Sequence, residues 1–129
     1  MKISKIKETC LYIDDLEVAF DFYHNILGLE LISQVEDRHI FFRCGQSVLL
    51  CFIGEATKNE KNLPPHYAVG KQHIAFEVPK EDYEPYLKKL KEGGIEITHI
   101  QQWKEGRESF YFEDPFGHVL EILPPGIWE

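Results

Sequence analysis

Glu8, His73 and Glu121 have the types and the placement to hold a metal ion. Each falls in a stretch of alternating side chains, and each sits opposite the apolar set that a core requires. Glu8 shares a side with Cys10 and Tyr12 in KETCLYI, His73 with Ala75 and Glu77 in QHIAFEV, and Glu121 with Val119 and Leu123 in HVLEIL. One imidazole and two carboxylates suit a borderline or hard divalent ion such as Zn²⁺, Mn²⁺, Ni²⁺ or Fe²⁺, with positions left for water or substrate. An ion bound to adjacent substrate oxygens stabilises a developing oxyanion, and Glu121 or Glu8 is placed to act as general acid and base.

A second set lies just upstream of Glu121. Ser109 and Tyr111 alternate with Phe110 and Phe112, so their hydroxyls share a side with Glu121, and Trp103, Lys104 and Arg107 occupy the preceding loop. Indole, ammonium, guanidinium and two hydroxyls make a receptor for a small anion. The ordinary alternative is a solvated strand carboxylate, a basic surface loop and three unrelated polar residues. Cys10, two residues from Glu8, reads either as a neighbour of the ion or as an inert small residue. The remaining histidines, His24, His39, His66, His99 and His118, show no partner spacing and default to surface or loop positions.

An internal repeat favours the chemical reading. KETCLYI predicts a strand, and Asp14 or Asp15 caps a helix whose apolar positions are Leu16, Ala19, Phe20, Tyr23, Ile26 and Leu27, with Gly28 at its end. GLELIS, Asp37 to Phe42 and Ser47 to Ile53 follow as strands. The pattern then restarts: a shift of 65 residues lays Glu8 on His73, and 66 lays GLELI on GIEIT, while 72 lays Gly45 on Gly117 and Leu49 on Glu121. In the second copy a helix begins near Asp82, with Pro85 in its first turn, and ends at Gly93 and Gly94. Asp114 to Gly117 supplies turn chemistry for a closing hairpin. The expected fold is α+β: two tandem βαβββ modules whose curved mixed sheet encloses a cleft. Residues 1–129 form a single domain, with module one at about 3–53, a polar linker at about 54–69 and module two at about 70–124.

Length and composition permit this without staples, since 129 residues with 43% hydrophobic content close a core. A net charge of −8 argues against nucleic acid and anionic membranes as partners. Three cysteines cannot all pair and none forms a CxxC, there is no apolar leader and no membrane span, so the expected compartment is the cytoplasm.

ETCLYIDDLEVAFDFYHNILGLEL, HIAFEV and SFYFEDPFGHVLEI together resemble the vicinal oxygen chelate superfamily, which includes glyoxalase I, fosfomycin-resistance thiol transferases, bleomycin-resistance proteins and extradiol dioxygenases. The resemblance implies paired βαβββ modules, with His73 and Glu121 as metal ligands. Glu8 stands where many members have histidine or glutamine, and Leu49 where glyoxalase I carries a ligating glutamate. VLLCFIGE and GRESFYFEDPFGHVLE are most similar to the fosfomycin-resistance branch, in which the serine and tyrosine matching Ser109 and Tyr111 help bind a phosphonate. The expected function is therefore a metal-dependent lyase, isomerase or thiol transferase acting on a small, anionic, oxygen-chelating substrate. The alternative is a metal-free drug-binding resistance protein of the bleomycin type. Exposed strand edges, together with the resemblance, imply a homodimer.

Overall fold

The computed structural model describes residues 1–129 and divides into two compact units, Met1–Gly70 and Lys71–Glu129. The first holds β1 (Glu8–Ile13), α1 (Leu16–Phe20), β2 (Glu30–Val35), β3 (His39–Cys44), β4 (Ser47–Ile53) and α2 (Gly54–Thr57). Its sheet runs β1-β4-β3-β2, with β1 parallel to β4 and the other pairs antiparallel. Alternation decides the faces: Leu11, Ile40, Phe42, Leu49 and Cys51 are buried on one side, and Glu8, Cys10 and Tyr12 lie on the other.

Asp15 caps α1, its carboxylate accepting the Val18 N–H at 3.0 Å. The helix then widens into a π-helical turn over Asp21–Ile26, in which the Leu27 N–H reaches the Phe22 carbonyl at 2.9 Å. The extra residue per turn rotates the apolar stripe. Ala19, Phe22, Tyr23 and Leu27 are buried, whereas Leu16, Phe20 and Ile26, expected on that face, are only partly covered. Tyr23 rests on Phe42 with ring centroids 5.6 Å apart, so the π turn is what meets the sheet.

The second unit repeats the order with β5 (His73–Glu77), α3 (Tyr83–Glu92), β6 (His99–Gln102), β7 (Glu108–Glu113) and β8 (Val119–Leu123). Its sheet runs β5-β8-β7-β6, with β5 parallel to β8. Phe110, Phe112, Leu120 and Ile122 are buried, and Tyr83 of α3 packs on Phe110 at 5.4 Å. The second strand of this unit falls at His99–Gln102, downstream of the GIEIT stretch that matches GLELI. The helix end is the same in both units, the Ile95 N–H bonding the Leu90 carbonyl at 3.0 Å with Gly94 at φ +84°, and the Leu29 N–H bonding the Tyr23 carbonyl at 2.9 Å with Gly28 at φ +83°.

Both units are βαβββ, and the chain is α+β, as the repeat implied. No helix is long and apolar enough to cross a membrane. No disulfide joins Cys10, Cys44 and Cys51.

Candidate metal centre

Register sets the site. In the second unit Ala75 of β5 pairs with Glu121 of β8, Glu121 with Tyr111 of β7, and Tyr111 with His99 of β6. These four form a single rung across the sheet, on the face away from α3. His73, two residues before Ala75, reaches diagonally to the same carboxyl group, its Nε2 lying 3.4 Å from Glu121 Oε1.

The two side chains differ in surroundings and complement one another. His73 is half exposed, and its Nδ1 donates to the Val119 carbonyl at 2.9 Å, which leaves Nε2 facing Glu121. A backbone carbonyl behind the distal nitrogen is the arrangement that fixes a ligating imidazole. Glu121 is only 4% exposed, and its Oε2 is buried with no hydrogen-bond partner. An oxygen of this kind costs about 1–3 kcal/mol unless something occupies its lone pairs. An imidazole nitrogen facing a carboxyl group with one orphaned oxygen fits a divalent ion. Within this unit no further His, Cys, Asp or Glu joins them in a group of three or more. Glu8 belongs to the first unit, where it is exposed at the start of β1 on the side of Cys10 and Tyr12.

Of the predicted substrate residues, three gather at this rung. Trp103 donates its indole N–H to Ser109 Oγ at 2.9 Å, and Ser109 is fully buried. Burial first, then the charge of Glu121 and a side-chain hydrogen bond with it, push the Tyr111 phenol above its ordinary value; a hydrogen bond from Ser109 acts in the opposite sense. Trp103 and Ser109 are thus joined by a hydrogen bond, and Tyr111 follows Ser109 on the same face of β7, paired with Glu121. The other two predicted residues are tied elsewhere. Arg107 pairs with Glu105 at 2.5 Å and lines a separate cleft of about 690 Å³ with Lys80, Tyr83 and Glu108, while Lys104 reaches the Glu129 carbonyl.

Two expectations change. Leu49 is not the counterpart of Glu121, because it pairs with Thr9 and Phe42 on the buried face. The rung matching Ala75–Glu121–Tyr111 is Cys10–Leu50–Phe41, so Leu50 stands at the Glu121 position. His39 and His118 are buried rather than superficial. His118 Nδ1 accepts the Gln72 N–H at 3.1 Å, and His39 is stacked on Phe41 at 3.9 Å. His99 is exposed, as expected, and the pairing of β6 places it beside Tyr111. Cys10 behaves as an inert thiol: burial, then Glu8, push it up from its ordinary value, away from the reactive thiolate.

A duplicated βαβββ unit carrying a histidine and a buried glutamate on neighbouring parallel strands defines a class of metal-chelating enzymes and binding proteins. The chain belongs to the glyoxalase/bleomycin resistance protein/dioxygenase superfamily, whose model matches residues 5–122. It is 31% identical over 123 residues to glutathione transferase FosA of Serratia marcescens, covering 93% of this chain and 80% of that protein. Metallothiol transferase FosB of Bacillus licheniformis is 30% identical over 129 residues, covering 99% and 80% respectively. Among solved structures, lactoylglutathione lyase from Agrobacterium tumefaciens superposes with a TM-score of 0.92 at 32% identity, over 98% of each chain.

Proposed function

We propose that the chain is a metal-dependent thiol transferase acting on a small anionic substrate with adjacent oxygens, in the cytoplasm and as a homodimer. The observation that carries this reading is the partnerless Oε2 of Glu121, a carboxyl group whose other oxygen lies 3.4 Å from His73 Nε2. Supporting it, the relatives include a glutathione transferase and a metallothiol transferase.

In this reading His73 and Glu121 hold one divalent ion, Zn²⁺, Mn²⁺, Ni²⁺ or Fe²⁺, with Glu8 as the third ligand. When bound, the ion supplies Lewis-acid polarisation of substrate oxygens. The chain's own residues do the rest. Tyr111 and Ser109 orient the anion, Trp103 fixes the Ser109 hydroxyl, and Arg107 and Lys104 contribute positive field from the loop rather than direct contact. Glu121 and Glu8 are the carboxylates available to take and return a proton.

Elemental analysis after purification without added metal tests the centre. His73→Ala and Glu121→Ala are each expected to lower the metal-to-protein ratio while the protein stays folded. Retention of the parent ratio by both variants refutes the ligand assignment. Light scattering that finds a monomer from micromolar concentrations upward refutes the dimer.

A further inference from the structure

The hydroxyl of Ser109, assigned above to orienting an anion, is closed off in this structure. Ser109 is 0% exposed, and its Oγ accepts the Trp103 indole N–H at 2.9 Å. Indole has one donor and no acceptor, so that donor is spent inside the protein. An anion offers acceptors only. It reaches the serine hydroxyl, or takes the indole proton, once this hydrogen bond opens.

The segment after β8 holds Trp103 in place. Ile127, 6% exposed, anchors Gly126–Glu129 to the second unit. From that anchor Trp128 lies against Trp103, with ring centroids 6.2 Å apart at an interplanar angle of 50°, and Lys104 Nζ donates to the Glu129 carbonyl. The Arg107 guanidinium crosses Gly126 so closely that a Cβ there would clash with it. The loop held in this way carries two successive left-handed residues, Glu105 at φ +57° and Gly106 at φ +72°, and the first of them is disfavoured for any side chain.

The first unit makes the same return with a firmer tie. There the β2–β3 turn is fastened to the segment after β4 by Arg38, which donates to both oxygens of Glu60 at 2.7 and 2.9 Å. In the second unit the tie is one ring contact and one hydrogen bond to a backbone carbonyl, and Trp128 is 82% exposed. A bidentate ion pair with both side chains part-buried fastens, whereas an exposed ring contact releases readily.

Resting on the reading of Ser109 and Tyr111 as anion-orienting residues, we propose that Trp103 is a gate over Ser109 and that Trp128 is the latch that keeps it shut. Opening separates two donors that now satisfy each other, the indole N–H and the serine hydroxyl, and presents both beside Tyr111 to a small oxyanion. Trp128 acts only through Trp103 and is a positioning residue.

Methylphosphonate is the probe, titrated into Mn²⁺-loaded protein. Trp128→Ala is expected to bind it about fivefold more tightly than the parent, because a closed population lowers apparent affinity and the ring contact sets the size of that population. Mn²⁺ affinity stays the same, and Trp128→Phe, which keeps a ring, returns the methylphosphonate affinity toward the parent value. Trp103 and Trp128 are the only tryptophans, so Trp128→Ala assigns both indole N–H resonances. The Trp103 indole proton is expected to exchange with solvent faster in Trp128→Ala than in the parent, and to shift when methylphosphonate binds. An affinity that is unchanged or lower in Trp128→Ala overturns the gate, since removing a merely supporting tryptophan weakens binding. If methylphosphonate binds Mn²⁺-loaded protein no better than metal-free protein, in parent and variant alike, the proposed function fails. The latch is then judged by exchange alone, and a Trp103 indole proton that exchanges no faster in Trp128→Ala overturns it.

Discussion

Glu121→Leu is expected to stabilise the metal-free protein. Glu121 is 4% exposed with Oε2 unpartnered, a penalty of about 1–3 kcal/mol that leucine does not incur. Against this stands the lost hydrogen bond with Tyr111, about 1 kcal/mol, softened because Tyr111 is only partly buried and can turn to water. The shape cost is small, since the matching rung of the first unit already accommodates Leu50 at 7% exposure. The balance is a gain of about 0–2 kcal/mol, at most roughly 5 °C in Tm for a chain of this size. The assay is urea unfolding of chelator-treated parent and variant at one fixed protein concentration, followed by the same curves with Mn²⁺. Metal at about a hundredfold excess over Kd adds about 2.7 kcal/mol to the parent, whereas the variant gains little or nothing. A chelated variant less stable than the parent by more than about 1 kcal/mol refutes the claim that Glu121 is held at a cost for ligation. So does a variant that gains as much from Mn²⁺ as the parent.

Two further outcomes follow from the geometry. Burial first, then the charge of Arg38, hold the His39 imidazole below its ordinary value, with Glu60 opposing. The unfolded chain therefore takes up that proton first, so His39's share of stability is present above about pH 6.5 and is lost as pH falls below it. His39→Gln is expected to shrink the drop in urea midpoint between about pH 7.5 and about pH 5.5, and an undiminished drop counts against the assignment. Gly126 has φ +96°, and a Cβ there would sit 2.4 Å from Arg107 Nε. Gly126→Ala is expected to cost about 1–2 kcal/mol, partly recovered when Arg107→Ala is added, and strictly additive losses would rule out the steric cause.

The strands that pack on both sides were legible, because alternation in KETCLYI, HIAFEV and SFYF is forced by a core on one face and the site on the other. What escaped depends on single-residue offsets. The π turn inserts a residue into α1, so counting 3.6 per turn from Leu16 gave Phe20 and Ile26 in place of Phe22. Leu49 was matched to Glu121 because Gly45 and Gly117 were aligned. Yet four residues separate the paired Arg43 and Val48, and five separate Glu113 and Val119, so the offset grows by one across the turn and Leu50 is the true counterpart. HIQQ has no apolar alternation because β6 is an edge strand, and His99 could not be placed without its pairing to Tyr111. The burial of Glu121 was likewise unreadable: alternation assigns a face but not how dry that face is.

The two rungs explain how one fold can keep a stable half and a chemical half. Cys10–Leu50–Phe41 asks nothing of solvent or ligand, since Leu50 is buried and apolar and Phe41 stacks on His39. Ala75–Glu121–Tyr111–His99 occupies the equivalent positions with three groups that hydrogen-bond, one of them a carboxyl oxygen left without a partner. Both units share the same kind of apolar helix-side core, Phe42 and Leu49 in one and Phe110 and Leu120 in the other, so polar substitutions on the opposite face leave the folding core intact. The cost of the orphan oxygen is confined to a position that packing does not need, which is where a ligand-binding group can be retained without unfolding the unit.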